Sequence, residues 1–194
     1  MPGPAYDAIV LAGGRSSRAG SDKLGWTRDE RTLLQHALDA VATAAHVVVV
    51  GPVPAGAYAP HLTWRREDPP FGGPVAAITT GLDGVTEELT VVLAGDQPAA
   101  TPAIPQLLEC LRAGVDGAVL VDGDGVRQPL LAAYRTSWLR GQVRAAAYGA
   151  SVRSLLIGAS IAEVPDVWGA SRDVDTVQHG RALGFGPFPA ARES

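Results

Sequence analysis

A short apolar run that breaks at two glycines constrains the fold of this 194-residue chain more than any other stretch. Residues 8–12 are apolar, and Gly13 and Gly14 follow them directly. Residues 15–23 then add two arginines, an aspartate and a final lysine, Lys23. A strand that runs into such a loop suits a phosphate group, because glycine lets backbone N–H groups point at an anion without a Cβ in the way.

Three cations make this loop a candidate polyphosphate site. Arg15 and Arg18 offer planar guanidinium groups, whereas Lys23 offers a compact point charge. The spacing is neither G-x-G-x-x-G nor G-x-x-x-x-G-K-[ST], since Leu24 follows the lysine. The alternative is an ordinary strand-to-helix turn with solvated charges, which the three cations and Asp22 together make the weaker interpretation.

Strands and helices alternate along the rest of the chain. This alternation predicts an α/β fold with three layers, in which a doubly wound, mostly parallel sheet lies between helices. The tight turn at 122–125 predicts that the strand after it is antiparallel. We expect one domain over 1–183 and a loosely ordered tail over 184–194. The predicted strands cover residues 7–12, 46–50, 62–66, 89–94, 117–121, 129–134 and 160–164; the predicted helices cover 33–45 (capped by Thr32), 74–83, 102–113 (capped by Thr101), 136–147, 151–157 and a last one ending at 183.

Composition narrows the range of partners. The net charge of −4 argues against a general nucleic-acid binder, which usually carries a basic surface. The single cysteine excludes an intramolecular disulfide and fits a reducing compartment. No apolar run reaches about 18 residues, and no signal peptide is evident. We therefore expect a cytoplasmic protein that binds neither nucleic acid nor membrane.

Carboxylates follow several of the predicted strands. Ligands of doubly wound sheets bind beside the carboxyl ends of the strands, at a topological switch point. Asp68, Asp96 and the pair Asp173 and Asp175 fall near such ends. Asp96 follows an apolar strand directly and suits Mg²⁺, which prefers one or two carboxylates together with phosphate oxygens and water. The alternative is an aspartate that binds its own loop or caps the next helix.

These segments also resemble a known family. Residues 11–23 match the pattern L-A-G-G-x-S-x-R-x-G-x-D-K, with Ala19 where the family usually has Met, and so resemble nucleotidyltransferases of the molybdenum-cofactor guanylyltransferase type. Residues 95–98 look like the family's D-x-P motif, and Asp68 with residues 73–78 looks like its G-P-[LV]-A-[GA]-[IL] segment. Residues 173–176 depart from the family, which typically carries N-x-N-[TS] there.

The resemblance implies a reaction and roles for individual residues. GMP would be transferred from GTP to the phosphate of molybdopterin, pyrophosphate would leave, and Mg²⁺ would be the cofactor. Transient contact with cofactor-synthesis proteins or molybdoenzymes is also implied. The implied roles are catalysis by Lys23, Arg18 and Asp96; nucleotide binding by Leu11, Ala12, Gly13, Gly14, Arg15, Ser16, Lys23, Asp68, Gly73 and Asp96; acceptor binding by Arg127, Asp173 and Asp175; and metal binding by Asp96 and Asp175.

Several alternatives stay open from the sequence. A sister enzyme could use CTP, either on molybdopterin or on another phosphorylated precursor. A nucleotide-binding accessory protein could keep the fold without turnover, although the intact Lys23 and Asp96 argue against it. Asp175 could cap the last helix instead of binding metal, and Arg127 could be a solvated surface residue.

Overall fold

A computed structural model describes residues 3–13, 23–53, 58–68, 70, 72–111, 114–146 and 149–186. Nine strands and five helices lie within these ranges. The strands are β1 (Asp7–Leu11), β2 (Thr27–Arg28), β3 (Arg31–Thr32), β4 (Val47–Val50), β5 (Thr63–Arg65), β6 (Leu89–Ala94), β7 (Gly117–Val121), β8 (Arg127–Arg135) and β9 (Ile161–Pro165). The helices are α1 (Leu33–Ala40), α2 (Pro74–Leu82), α3 (Ala103–Cys110), α4 (Thr136–Ala145) and α5 (Val177–Ala182).

The central sheet has seven strands in the order β5-β4-β1-β6-β8-β7-β9. All its neighbouring pairs are parallel except those of β8, which runs antiparallel to both β6 and β7. The predicted α/β class, the mostly parallel sheet and the one antiparallel strand are therefore confirmed.

The apolar strands form because both faces of the sheet are buried. Along β1, Val10 belongs to one buried cluster and its neighbour Ile9 to the cluster on the opposite face. Helices α1 and α3 cover the first face, and α2 and α4 cover the second. Strands that are covered on both faces have continuous apolar sequences instead of alternating ones, and this is why their positions could be predicted from the sequence.

The chain reverses its direction of strand addition between β1 and β6. After β1 it builds outward through β4 and β5, and then returns to place β6 on the other side of β1. The carboxyl ends of these two neighbours lie side by side, with Leu11 opposite Ala94. This is the topological switch point at which α/β sheets bind ligands.

Some predicted helix boundaries need correction. Thr32 caps α1 as expected and forms a capping box with Gln35, but the helix ends at Ala40, not at residue 45. Thr101 does not cap α3, because the helix begins at Ala103 and its N-cap is Pro102, which makes no side-chain capping bond. The predicted helix over 151–157 is a 3-10 turn.

A hairpin shortly after Lys23 in the chain was not predicted. β2 and β3 pair through a two-residue turn in which Asp29 and Glu30 both have positive φ. Aspartate tolerates that conformation better than most residues, but Glu30 carries no such turn signal. At the C-terminus, the packed part of the chain extends beyond the predicted boundary at 183: Phe185 is 2% exposed, and Gly186 pairs with Thr27.

Candidate active site at the carboxyl edge of the sheet

The ends of β1 and β6 bring together two segments that are distant in sequence. The Gly95 N–H donates to the Leu11 carbonyl at 2.9 Å, so the segment that carries Asp96 starts beside the end of β1. Leu11 and Ala12 direct their side chains into the core and are 8% and 4% exposed. They can therefore offer a ligand only their backbone, whereas Gly13 is exposed.

A second glycine lets two strand ends approach closely. Gly51 directly follows β4 with φ 145°, and a Cβ there would overlap the Ala12 backbone. The Ala12 N–H donates to the Val50 carbonyl at 2.8 Å, which holds the start of the glycine loop on the sheet. The predicted nucleotide and catalytic residues Gly14, Arg15, Ser16 and Arg18 lie outside the described residues.

Lys23 crosses the switch point and joins its two sides. Its ammonium Nζ donates to Asp96 Oδ2 at 2.7 Å and to the Val174 carbonyl at 2.8 Å. It lies 3.7 Å from Asp175 Oδ1. The side chains of Lys23 and Asp96 are only 15% and 19% exposed, so this ion pair is partly shielded from solvent. The structure thus brings together Lys23 and Asp96, two of the three residues that were predicted to be catalytic; the third, Arg18, lies outside the described residues.

A group of three carboxylates lies beside the lysine. Asp96, Asp173 and Asp175 each place an oxygen within 4.8 Å of the others. Burial, together with the nearby charges of Asp175 and Asp96, raises the pKa of the Asp173 carboxyl. Three carboxylates and the Lys23 ammonium leave a charge of about −2 when all are ionised, and like charges this close favour a further cation. Mg²⁺ accepts such a donor set, since it uses carboxylates and fills its other positions with water or phosphate.

Asp173 was expected on the acceptor side, but its neighbours are the two predicted metal ligands. The segment 173–175 reaches them because Val174 is fully buried and its N–H donates to the Asp96 carbonyl at 3.1 Å. The alternating pattern aspartate-valine-aspartate puts the two carboxylates on either side of this buried anchor. That pattern is the sequence signal that could have assigned Asp173 to the carboxylate cluster.

Asp68 lines another cleft on the same edge, and Gly73 follows Gly72, which also lines it. Asp68 follows β5, two strands beyond β1, and its side chain is exposed. Gly73 precedes α2 with φ 88°, a conformation that favours glycine. The cleft has a volume of about 300 Å³ and is lined by Asp68, residues of α2 and the C-terminal end of α4. Neither Lys23 nor Asp96 lines it.

Arg127 already has a partner. It is the first residue of β8, opposite Val121 at the end of β7, and its Nε donates to Glu163 Oε1 at 2.6 Å. Both side chains are about half exposed. The structure therefore places this predicted acceptor contact at the carboxyl edge of the sheet, but in an ion pair with β9 and not among the three aspartates.

One buried carboxylate was missed by the sequence analysis. Asp7, the first residue of β1, is fully buried at the opposite edge of the sheet. It accepts hydrogen bonds from the backbone N–H groups of His46, Thr86 and Glu87. Nothing in the residues around it distinguishes it from a solvated aspartate before an apolar run, because its donors lie about 40 and 80 residues away.

Comparison with known proteins gives a consistent picture. A family model described as the MobA-like NTP transferase domain matches residues 8–164. A probable molybdenum cofactor guanylyltransferase of Mycolicibacterium paratuberculosis is 32% identical over 162 residues, which cover 80% of this chain and 82% of that protein. No helix within the described ranges combines the length and apolar character needed to cross a membrane.

Solved structures share the fold at lower identity. The molybdopterin-guanine dinucleotide biosynthesis protein A of Archaeoglobus fulgidus superposes with a TM-score of 0.71 at 20% identity, over 92% of this chain and 96% of that one. The 2-C-methyl-D-erythritol 4-phosphate cytidylyltransferase of Thermus thermophilus gives 0.68 at 18% identity, over 91% and 95%. At these identities the likeness concerns the fold alone.

Proposed function

The chain belongs to the MobA-like NTP transferase family and is a nucleotidyltransferase, and we propose that it transfers GMP from GTP to the phosphate of molybdopterin, releasing pyrophosphate. The observation that carries the proposal is the Lys23–Asp96 ion pair at the switch point, with Asp173 and Asp175 beside it. The name of the relative from Mycolicibacterium paratuberculosis supports the choice of substrates.

The proposed reaction needs no protein nucleophile. An oxygen of the acceptor phosphate attacks the α-phosphorus of GTP and forms the new phosphoanhydride bond. The bond between that phosphorus and the β-phosphate oxygen breaks, and its electron pair leaves with pyrophosphate. Both the attacking and leaving groups are anions, so the protein contributes by positioning them and neutralising charge.

The charged residues divide this work. Lys23 would pass from the carboxylates to the β- and γ-phosphates, and the exposed Gly13 leaves room for phosphate beside the end of β1. Asp96, Asp173 and Asp175 would hold Mg²⁺, which when bound supplies positive charge to the phosphate oxygens. Asp68 would contact the nucleoside in the cleft that it lines, and Gly73, beside that cleft, would let the backbone approach the base or ribose. Arg18 and Arg127 would add charge on the leaving-group and acceptor sides.

A cytidylyltransferase is the second candidate. The likeness in fold to the Thermus thermophilus cytidylyltransferase favours it, since that fold accommodates CTP as well. Guanine and cytosine present different donors and acceptors, so the base is selected by contacts in the nucleoside cleft and not by the residues that bind phosphate.

Pyrophosphate release tests the proposal directly. The purified protein is assayed with each of the four ribonucleoside triphosphates, with and without molybdopterin and Mg²⁺. We expect release with GTP only when molybdopterin and Mg²⁺ are both present. Release with CTP alone would replace the proposal by the sister activity, and nucleotide binding without release would identify an accessory protein.

A further inference from the structure

The loop after β9 carries two members of the acidic cluster, and another carboxylate holds its shape. Asp166 is the first residue after this strand. Its Oδ1 accepts hydrogen bonds from the N–H groups of Trp168 at 3.1 Å and Ala170 at 2.9 Å. Its Oδ2 accepts from the Ser171 N–H at 2.8 Å and from the Ser171 hydroxyl at 2.6 Å. A single side chain therefore fixes the path of the loop from 166 to 171.

The same loop is attached to the sheet at both ends. At its start, the Asp166 N–H donates to the Val121 carbonyl at 2.8 Å. At its end, Val174 donates to the Asp96 carbonyl and accepts from Lys23, so both of its backbone polar groups bind the candidate active site. Asp173 and Asp175 flank this anchor, and their positions depend on the path that the loop takes to reach it.

Asp166 is suited to this task as an anion. Partial burial raises the pKa of its carboxyl, but the hydrogen bonds from Ser171, Ala170 and Trp168 outweigh burial and lower it. An ionised carboxylate accepts at both oxygens, and each oxygen of Asp166 faces two donors. A neutral acid or an amide would place its own donor group against one of these two pairs of donors. The full set of bonds therefore requires the carboxylate.

We propose that Asp166 is a positioning residue, which shapes the loop 166–175 so that Asp173 and Asp175 meet Asp96. This role rests on the proposed function insofar as those carboxylates hold the catalytic cation. Groups that orient metal ligands typically change metal affinity or activity by about 10–100-fold when removed.

The chain offers a matched control on the neighbouring strand. Asp122 follows β7 as Asp166 follows β9, since Val121 and Pro165 are paired in register. Its carboxylate accepts from the N–H groups of Asp124 and Val126 and from Gln128 Nε2. Its loop returns to β8 and carries no member of the acidic cluster. Removal of Asp122 thus costs similar bonds in a loop outside the cluster, although it also removes a like charge near Asp166.

Backbone amide exchange, followed by NMR, measures the docking of the loop without any metal or substrate. We expect D166A to speed exchange of the Val174 amide by about tenfold or more, because the chain that leads to its hydrogen bond with Asp96 loses its fixed shape. D166N keeps one acceptor oxygen and should have an intermediate effect, and D122A should have none. Retained protection at Val174 in D166A, with loss confined to 168–171, would overturn the proposal.

A kinetic arm follows the same variants in the pyrophosphate assay. We expect D166A to lower kcat about 10–100-fold with a much smaller change in the nucleotide KM, with partial rescue in D166N and little change in D122A. If D166A and D122A lowered kcat equally, Asp166 would have only a structural role and the proposal would be wrong. If the wild-type protein releases no pyrophosphate, the proposed function fails, and amide exchange at Val174 still decides the role of Asp166.

Discussion

The strand pair β1–β6 has a carboxylate at each end, and the two differ in what surrounds them. At the amino end, Asp7 is fully buried and accepts hydrogen bonds from fixed N–H donors on the segments just before β4 and β6. At the carboxyl end, Asp96 shares the Lys23 ammonium with Asp175, and the carboxylate of Asp173 lies close to both. The first carboxylate is satisfied by the fold itself, whereas the second belongs to a group with excess negative charge.

The pKa shifts follow the same division. Burial alone would raise the pKa of Asp7, but the N–H donors of Glu87 and Thr86 and the His46 side chain lower it. Asp173, beside Asp96, has a raised pKa because partial loss of solvent and the like charges of Asp175 and Asp96 disfavour its ionised form. Hydrogen bonds from fixed donors thus stabilise the ionised form of Asp7 within the fold. The close approach of like charges destabilises the ionised form of Asp173, which indicates a site that needs a cation.

The largest expected effect comes from removing charge at the carboxyl end. Asp96→Asn should lower pyrophosphate release by about 10²–10³, since it removes one preorganised electrostatic contact. The melting temperature should change little, because the amide can still occupy the same volume. Near-wild-type turnover in a folded variant would show that the cluster has no part in the reaction.

Lys23→Ala should lower turnover to a similar extent, about 10²–10³. It also leaves the three carboxylates without their ammonium, so the nucleotide-free variant should bind Mn²⁺ more tightly than the wild type. Titration followed by electron paramagnetic resonance measures that affinity. Unchanged Mn²⁺ binding would contradict the placement of a cation site at these carboxylates.

At the amino end the effect should be on stability alone. Asp7→Asn turns an amide toward fixed N–H donors and should cost about 3 kcal/mol in the free energy of unfolding. Turnover at low temperature should stay at the wild-type level, because β1 keeps its register. Asp39→Asn is the control: it breaks the exposed pair with Arg31 and should cost less than about 1 kcal/mol.

The pH dependence of stability sharpens the contrast. Because folding lowers the pKa of Asp7, its contribution is fully present above the unfolded value of about 4 and is lost as pH falls through the folded one. Denaturant unfolding at a series of pH values should show this loss below about pH 4. The loss of stability at low pH should be smaller in Asp7→Asn than in the wild type. If the free energy of unfolding changed equally with pH in both proteins, Asp7 would not be the group responsible.

At the carboxyl end, replacing Asp173 by asparagine should increase stability, whereas the same change at Asp7 should decrease it. Asp173→Asn removes a like charge from the cluster and should slightly raise the melting temperature without metal. Thermal unfolding with EDTA measures the shift, and the same change at Asp124, an exposed aspartate outside the cluster, serves as the control. A lower melting temperature for Asp173→Asn would mean that the carboxylate has stabilising partners after all.

The smallest effect is expected at Arg127. Its half-exposed pair with Glu163 contributes less than about 1 kcal/mol to stability, so Arg127→Ala and Glu163→Gln should unfold alike. We predict that Arg127 contacts the acceptor. In that case Arg127→Ala should raise the KM for the acceptor, whereas Glu163→Gln should leave it unchanged. Identical KM values would leave Arg127 as a surface residue.

Prediction succeeded where local chemistry determines structure. The buried strands, the helix cap at Thr32 and the antiparallel β8 each follow from nearby residues, and so they were found from the sequence. It failed where distant segments decide: the β2–β3 hairpin is held by pairing with Gly186, and the donors of Asp7 come from two other parts of the chain.

The sequence by itself determined the layered sheet, the glycine loop and the list of charged candidates, because periodicity and composition act over a few residues. Only the tertiary structure selected among those candidates. It placed Lys23 between Asp96 and Val174, which are 73 and 151 residues away along the chain, and it assigned Arg127 to Glu163. Charge interactions act through space over a few ångströms, so which carboxylates share a cation depends on how the strands are ordered and where their ends meet.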